Sequence, residues 1–183
     1  MKKFFLGVCL FLSDSLVLAQ MPEKTRQEVA QAVKQKNYAQ VVQLLRPWAE
    51  RGDAQAQFNL GLMYDAGQGV VQDYAKARKW YEQAAAQGDV KAQYSIGVMY
   101  SAGRGIAQDS AKAREWWEKA AAQGHAGAQY NLGLMYYSGL GGAQDSAKAR
   151  EWLEKAAAQT ENAENTEVVR HARQALEEMR GKR

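Results

Sequence analysis

Cysteine, histidine and proline are scarce in this chain of 183 residues, which contains one, two and two of them respectively. So few cysteines and histidines exclude a zinc site with several Cys and His ligands, and they exclude a disulfide framework. The prolines are too few for a proline-rich linker. The net charge of +4 is a small excess, which argues against a dedicated nucleic-acid-binding protein, since such proteins concentrate basic residues on one face.

Catalytic motifs are missing as well. The sequence has no G-x-S-x-G elbow and no S-x-x-K motif, and its two histidines, His125 and His171, are expected in loops or on the surface. The acidic residues recur at expected helix caps and on outer helix faces. We therefore expect no enzymatic activity, no cofactor and no bound metal.

The first 19 residues are typical of a secretory signal. Lys2 and Lys3 precede an apolar run over residues 4–12, and Ala19 provides a small residue for cleavage, although Asp14 interrupts the apolar segment. An uncleaved anchor is the alternative, but the apolar run is too short to span a bilayer. We expect an exported protein, periplasmic or secreted, without stable membrane insertion.

The rest of the chain repeats itself every 36 residues without a gap, in copies that begin at Asp53, Asp89 and His125. Apolar residues at helical spacing occur twice in each copy, which predicts two helices per repeat. Asp53 and Asp89 are expected to cap the first helices, whereas His125 is expected to cap less well. The second helices are expected to be capped by Asp73, Asp109 and Asp145.

Glycines recur at two places in each repeat. Pairs such as Gly67 and Gly69 follow the first helix, and because no Lys-Ser/Thr follows them we interpret them as left-handed caps and not as a phosphate loop. Single glycines recur within the first helix, where glycine costs about 1 kcal/mol relative to alanine. They predict that a side chain of the partner helix packs on the backbone at Gly61, Gly97 and Gly133, with Trp80, Trp116 and Trp152 as candidates.

The chain is thus expected to divide into a signal peptide, a degenerate helix pair, three repeats, and a closing helix with a tail. The boundaries are 1–19, 20–52, 53–88, 89–124, 125–160 and 161–183. Charge pairs four residues apart, such as Arg114/Glu118 and Glu151/Lys155, are expected on the solvated outer face of the helices.

The 36-residue unit resembles the Sel-1-like repeat, a relative of the tetratricopeptide repeat. The resemblance is carried by Ala54, Ala56, Leu60, Gly61, Tyr64, Gly67, Gly69, Asp73, Lys76, Ala77, Trp80, Tyr81, Ala84, Ala85 and Gly88 and their counterparts. It implies an all-α fold, a right-handed α-solenoid of antiparallel helix pairs. It also implies an adaptor or scaffold, which in exported bacterial members acts in host interaction or envelope signalling.

A cysteine-rich branch of the family is described as penicillin-binding or β-lactamase-like, so a hydrolase acting on cell wall or β-lactam is the alternative function. The mature chain lacks the cysteine pairs of that branch.

By the same resemblance, the first helix of each pair lines a concave groove that binds a protein or peptide, extended or helical. The candidate binding residues are Gln55, Phe58, Asn59, Leu62, Asp65, Lys91, Tyr94, Ser95, Val98, Ser101, Tyr130, Asn131, Leu134 and Tyr137. Aromatic side chains give a large and rigid contact area, which suits interface anchors. Packing of these aromatics against the neighbouring repeat is the other interpretation. We expect a monomer that does not bind nucleic acid, and regulation of a partner enzyme is a further possibility.

Overall fold

The computed structural model describes residues 21–162 and 164–181, so the expected signal peptide lies outside the described residues. The described part contains nine α-helices and no strand, as the predicted all-α class requires. The helices are Glu23–Lys34 (α1), Tyr38–Glu50 (α2), Ala54–Ala66 (α3), Tyr74–Ala86 (α4), Val90–Ala102 (α5), Ser110–Ala122 (α6), Ala126–Ser138 (α7), Ser146–Ala157 (α8) and Thr166–Gly181 (α9).

The chain divides after Asp89 into two compact units. In the first unit α1, α2, α3 and α4 pack each on the next. In the second unit α5 to α9 do the same, and α9 also contacts α7. Because short connections return each helix onto its predecessor, the helices of each unit stack as the successive pairs of an α-solenoid, in agreement with the repeat pattern.

Aspartate caps begin the second helix of every repeat, as predicted. The carboxylate of Asp73 accepts the backbone N–H of Lys76 at 2.9 Å, and Asp109 accepts that of Lys112 at 3.0 Å. These backbone hydrogen bonds hold the pKa of both carboxyl groups below the ordinary value. Asp145 makes the equivalent bond, so each second helix starts with one of its free amides satisfied.

The glycine that ends the first helix adopts the left-handed conformation. Gly67 has φ of 67° and Gly139 has φ of 73°, and the amide of each donates to a carbonyl of the last helical turn. A side chain would strain the backbone at this φ, which explains the glycine. The interpretation of these glycines as helix caps is therefore confirmed.

The glycines within the first helices allow close contact with the second helix, but the contacting residue was wrongly predicted. A Cβ at Gly97 would lie 2.5 Å from Cδ1 of Trp117, one residue beyond the expected Trp116. The equivalent neighbours of Gly61 and Gly133 are Tyr81 and Leu153. One residue along a helix turns the side chain by about 100°, so Trp80, Trp116 and Trp152 point elsewhere and are half-buried.

A buried glutamine joins α3 to α2, and another joins α7 to α6. The side-chain amide of Gln129 donates to the carbonyl oxygen of Ala121 at 3.3 Å, and its own oxygen accepts Gln159 Nε2 at 3.1 Å. Gln57 makes the corresponding pair of bonds in the first unit. Each glutamine therefore satisfies a carbonyl in the last turn of the preceding helix, where helical carbonyls have no helical partner.

Candidate functional site

Helix α7 has apolar side chains on two faces. Ala128, Leu132 and Met135 are buried in the core of the second unit. Tyr130, Leu134 and Tyr137 follow one another at i, i+4 and i+7 on a second face, which we call the α7 face. These three side chains remain accessible, and Leu134 is 36% exposed. The α7 face is therefore an apolar stripe that the fold buries only in part, since Tyr130 and Tyr137 also pack against the core.

Helix α9 borders the α7 face. A small cleft is lined by Leu134, Tyr137, Leu153, Ala175, Glu178 and Met179. Partial burial raises the pKa of the Tyr130 phenol, and the nearby negative charge of Glu178 raises it further. Glu178 is thus an acidic group on the border between the α7 face and α9.

Tyr94, another predicted binding residue, belongs to a stack of three rings within the second unit. Its ring lies 6.4 Å from that of Trp117 and 4.3 Å from that of His125, with interplanar angles of 29° and 20°. Burial raises the pKa of the Tyr94 hydroxyl, and a hydrogen bond with Asn131 acts in the opposite direction. Trp117 Nε1 donates to the Tyr94 carbonyl at 3.2 Å. Tyr94 and Asn131 therefore connect α5 with α6 and α7, which corresponds to the packing interpretation of these residues.

His125 caps α7, through a longer bond than that of Asp53 in the first repeat, which agrees with the expectation that it caps less well. Its Nδ1 accepts the backbone N–H of Ala128 at 3.2 Å, in the position that the carboxylate of Asp53 occupies in the first repeat. Nearby, Lys91 Nζ lies 3.5 Å from Glu164 Oε1, which joins the start of α5 to the segment before α9. Lys91 is thus a structural contact as well as a candidate binding residue.

In the first unit, Phe58 and Asn59 are buried, with 7% and 4% of their surfaces exposed. The ring of Phe58 lies 5.8 Å from that of Tyr81, so it packs on the second helix of its own repeat. As surface residues these two were wrongly predicted, because neighbouring elements cover them. The remaining candidates keep part of their surface accessible: Gln55, Leu62, Asp65, Ser95, Val98 and Ser101.

Two features were missed from the sequence. Ala175 and Glu178 were not assigned to the site, although the buried positions 169, 172, 176 and 179 of α9 place both beside its core stripe. In addition, Arg114 is not solvated: its side chain is 13% exposed and lies 3.7 Å from the ring centre of Tyr136. The hydroxyl of Tyr136 donates to Glu118 at 3.2 Å, so this expected surface pair stabilises the contact between α6 and α7.

Over residues 21–162 and 164–181, no group of three His, Cys, Asp or Glu side chains is placed to hold a metal ion. In the same part of the chain, no helix is both long and apolar enough to cross a membrane.

Comparison with known proteins identifies the class to which this architecture belongs. The family model described as the Sel1 repeat matches residues 54–89, 90–125 and 126–160. These matches cover more than half of the chain, and the chain therefore belongs to the Sel1 repeat family. Proteins of this family are typically protein-interaction scaffolds, and the fold is generally non-catalytic.

Two solved structures illustrate the similarity. One is a protective antigen present in uropathogenic Escherichia coli strains that displays an SLR fold; it is 38% identical, with a TM-score of 0.64, over 66% of this chain and 26% of that chain. The other is a Sel1 repeat protein from Oxalobacter formigenes, 34% identical, with a TM-score of 0.67, over 70% of this chain and 53% of that chain. The matched part thus spans about a quarter and about half of these two proteins. No curated protein matches.

Proposed function

We propose that this protein is a non-catalytic scaffold that binds a protein or peptide segment on the α7 face. The observation that carries the proposal is the second apolar stripe of α7, where Leu134 is exposed and Tyr130 and Tyr137 stay partly accessible while also packing against the core. An apolar stripe that folding leaves partly in water is typical of an interaction site. Among the described residues, the other exposed large apolar side chains, Val71 and Leu140, lie outside the helices.

The chemistry of the α7 face favours a particular kind of segment. Two tyrosine rings beside a leucine give rigid contact area at low entropic cost, with hydroxyl groups at the edges for polar contacts. Glu178 adds one negative charge along the border. We therefore propose a segment that places an apolar side chain between the rings and a basic side chain near Glu178, since opposite charges at a rim guide association.

The proposal extends to the half-buried candidates on α3 and α5 and to the biological setting. Gln55, Leu62, Asp65, Lys91, Val98 and Ser101 each keep some accessible surface for a partner. The proposed export is supported by the signal-like first 19 residues, and the proposal includes a monomer that acts in envelope signalling or host interaction. The similarity to a protective antigen also supports a setting outside the cytoplasm.

Site-specific photocrosslinking tests the proposal. A benzoylphenylalanine residue replaces Leu134, and a matched variant carries it at Val71, which is 87% exposed but lies outside the α7 face. Envelope extract of the producing cells is irradiated with each variant. We expect a defined adduct from position 134 that disappears when Tyr130→Ala and Tyr137→Ala are added, and no such adduct from position 71. The same adduct from both positions, or an adduct insensitive to the tyrosine substitutions, would contradict the proposal.

A further inference from the structure

The start of α7 depends on an imidazole at the position where the first two repeats have Asp53 and Asp89. The carboxylate of Asp53 accepts an amide hydrogen of the first turn at 2.7 Å. His125 accepts at Nδ1, at 3.2 Å. A histidine accepts a hydrogen bond only while it is neutral, because both ring nitrogens carry hydrogen in the imidazolium form.

The same imidazole connects three helices. Its ring stacks at 4.3 Å on Tyr94 of α5, which in turn stacks on Trp117 of α6. Gly127 makes room for this arrangement, since a Cβ there would lie 3.2 Å from the Tyr94 ring and 3.3 Å from His125. A change in the position of the imidazole therefore affects both the first turn of α7 and the packing of α5 against it.

The charged and titratable groups around His125 come from two elements besides its own. Lys91 and Tyr94 face it from α5, and Glu164 faces it from the segment before α9. Burial and the positive charge of Lys91 oppose protonation, and the carboxylate of Glu164 only partly offsets them. The pKa of His125 is consequently lowered from 6.5 to about 4. The amide end of a helix also disfavours a cation there.

We propose that His125 is an acid-sensitive clasp: the neutral ring fixes the first turn of α7 to α5, and protonation releases that turn. Protonation of His125 removes the acceptor of the Ala128 amide, because Nδ1 then carries hydrogen. It also places a positive charge beside Lys91 and at the amide end of α7. The clasp is independent of the proposed partner binding, and it is measured on the protein alone.

Nuclear magnetic resonance of the imidazole nitrogens tests the first part. At neutral pH we expect the tautomer with hydrogen on Nε2, because Nδ1 accepts the amide of Ala128. On acidification we expect a protonation midpoint near pH 4. A midpoint at or above 6.5, or a predominant Nδ1–H tautomer, would overturn the proposal.

Hydrogen exchange of the Ala128 amide, corrected for the intrinsic rate at each pH, tests the second part. The variant His125→Asn retains a capping oxygen that does not titrate, and His171→Asn controls for the other histidine. Between pH 7 and pH 4 we expect the opening equilibrium to rise roughly a hundredfold more in the wild type and in His171→Asn than in His125→Asn. Equal pH dependence in all three proteins would overturn the proposal even if the variants fold normally.

Discussion

The substitution Gly97→Ala examines the contact on which each repeat is built. Gly97 lies within α5, where alanine is the better helix former by about 1 kcal/mol. In this structure, however, a Cβ at position 97 would lie 2.5 Å from Cδ1 of Trp117, well inside contact distance. The indole is a large rigid group with little freedom to shift within a packed interior. Helix propensity thus predicts that Gly97→Ala stabilises the protein, whereas packing predicts that it destabilises the protein.

The magnitude follows from three contributions. Overpacking a well-filled interior costs typically about 1–3 kcal/mol. Displacement of the indole also weakens the hydrogen bond from Trp117 Nε1 to the Tyr94 carbonyl, now 3.2 Å long, a bond worth about 1 kcal/mol. The gain in helix propensity offsets about 1 kcal/mol. We expect Gly97→Ala to lower the free energy of unfolding by about 2 kcal/mol.

Urea unfolding followed by circular dichroism measures this change, with Gly181→Ala as the control. A Cβ at Gly181 meets nothing within 4 Å, so we expect a change of less than about 0.5 kcal/mol. A double-mutant cycle with Trp117→Ala then isolates the pair. In that background the added methyl group has space, and Gly97→Ala is expected to be neutral or stabilising. Wild-type stability of Gly97→Ala, or a coupling energy near zero, would refute the reasoning.

Three further predictions concern a cap, a buried amide and pH. Asp53→Ala removes the bond to the Ala56 amide and is expected to lower the free energy of unfolding by about 1 kcal/mol. Asp53→Asn is expected to retain most of the wild-type stability, and urea titrations of both variants test this. Gln129→Leu removes the bond to the Ala121 carbonyl and the acceptor for Gln159, which keeps its bond to the Gly124 carbonyl. Urea unfolding is therefore expected to show a loss of about 1–2 kcal/mol, and unchanged stability would contradict the role of this glutamine. The lowering of the His125 pKa from 6.5 to about 4 means that the unfolded chain binds a proton more readily. The contribution of neutral His125 to the free energy of unfolding is therefore complete above pH 6.5. It decreases by about 3 kcal/mol as the pH falls towards 4. Unfolding titrations at several pH values should show this additional loss in the wild type and not in His125→Asn.

The helices and their boundaries could be predicted from the sequence because their signals are local. A carboxylate at position 73 or 109 lies close to the free amides that follow it, and a glycine after a helix adopts a positive φ without steric cost. A 36-residue period then requires the same pair of helices again and again. These inferences need no knowledge of which helix packs on which.

The contacts between helices could not be predicted in the same way. Trp116 and Trp117 are adjacent large apolar residues, and periodicity alone accepts either as the residue that faces Gly97. The packing of α6 on α5 selects Trp117. The burial of Phe58 likewise depends on the elements that pack around it, and not on its own helix. The capping role of His125 depends on which nitrogen carries hydrogen, which the bond to Ala128 determines.

Helix α7 carries both the proposed partner surface and the proposed acid-sensitive clasp, and this combination yields a final prediction. Tyr130 follows His125 by five residues, about 7.5 Å along the helix at 1.5 Å per residue. Release of the first turn therefore disturbs the support of Tyr130 before that of Tyr137. If both proposals hold, the photocrosslink from position 134 should weaken between pH 7 and pH 4 in the wild type and persist in His125→Asn. Equal weakening in both proteins would show that acid weakens partner binding by a route other than the protonation of His125.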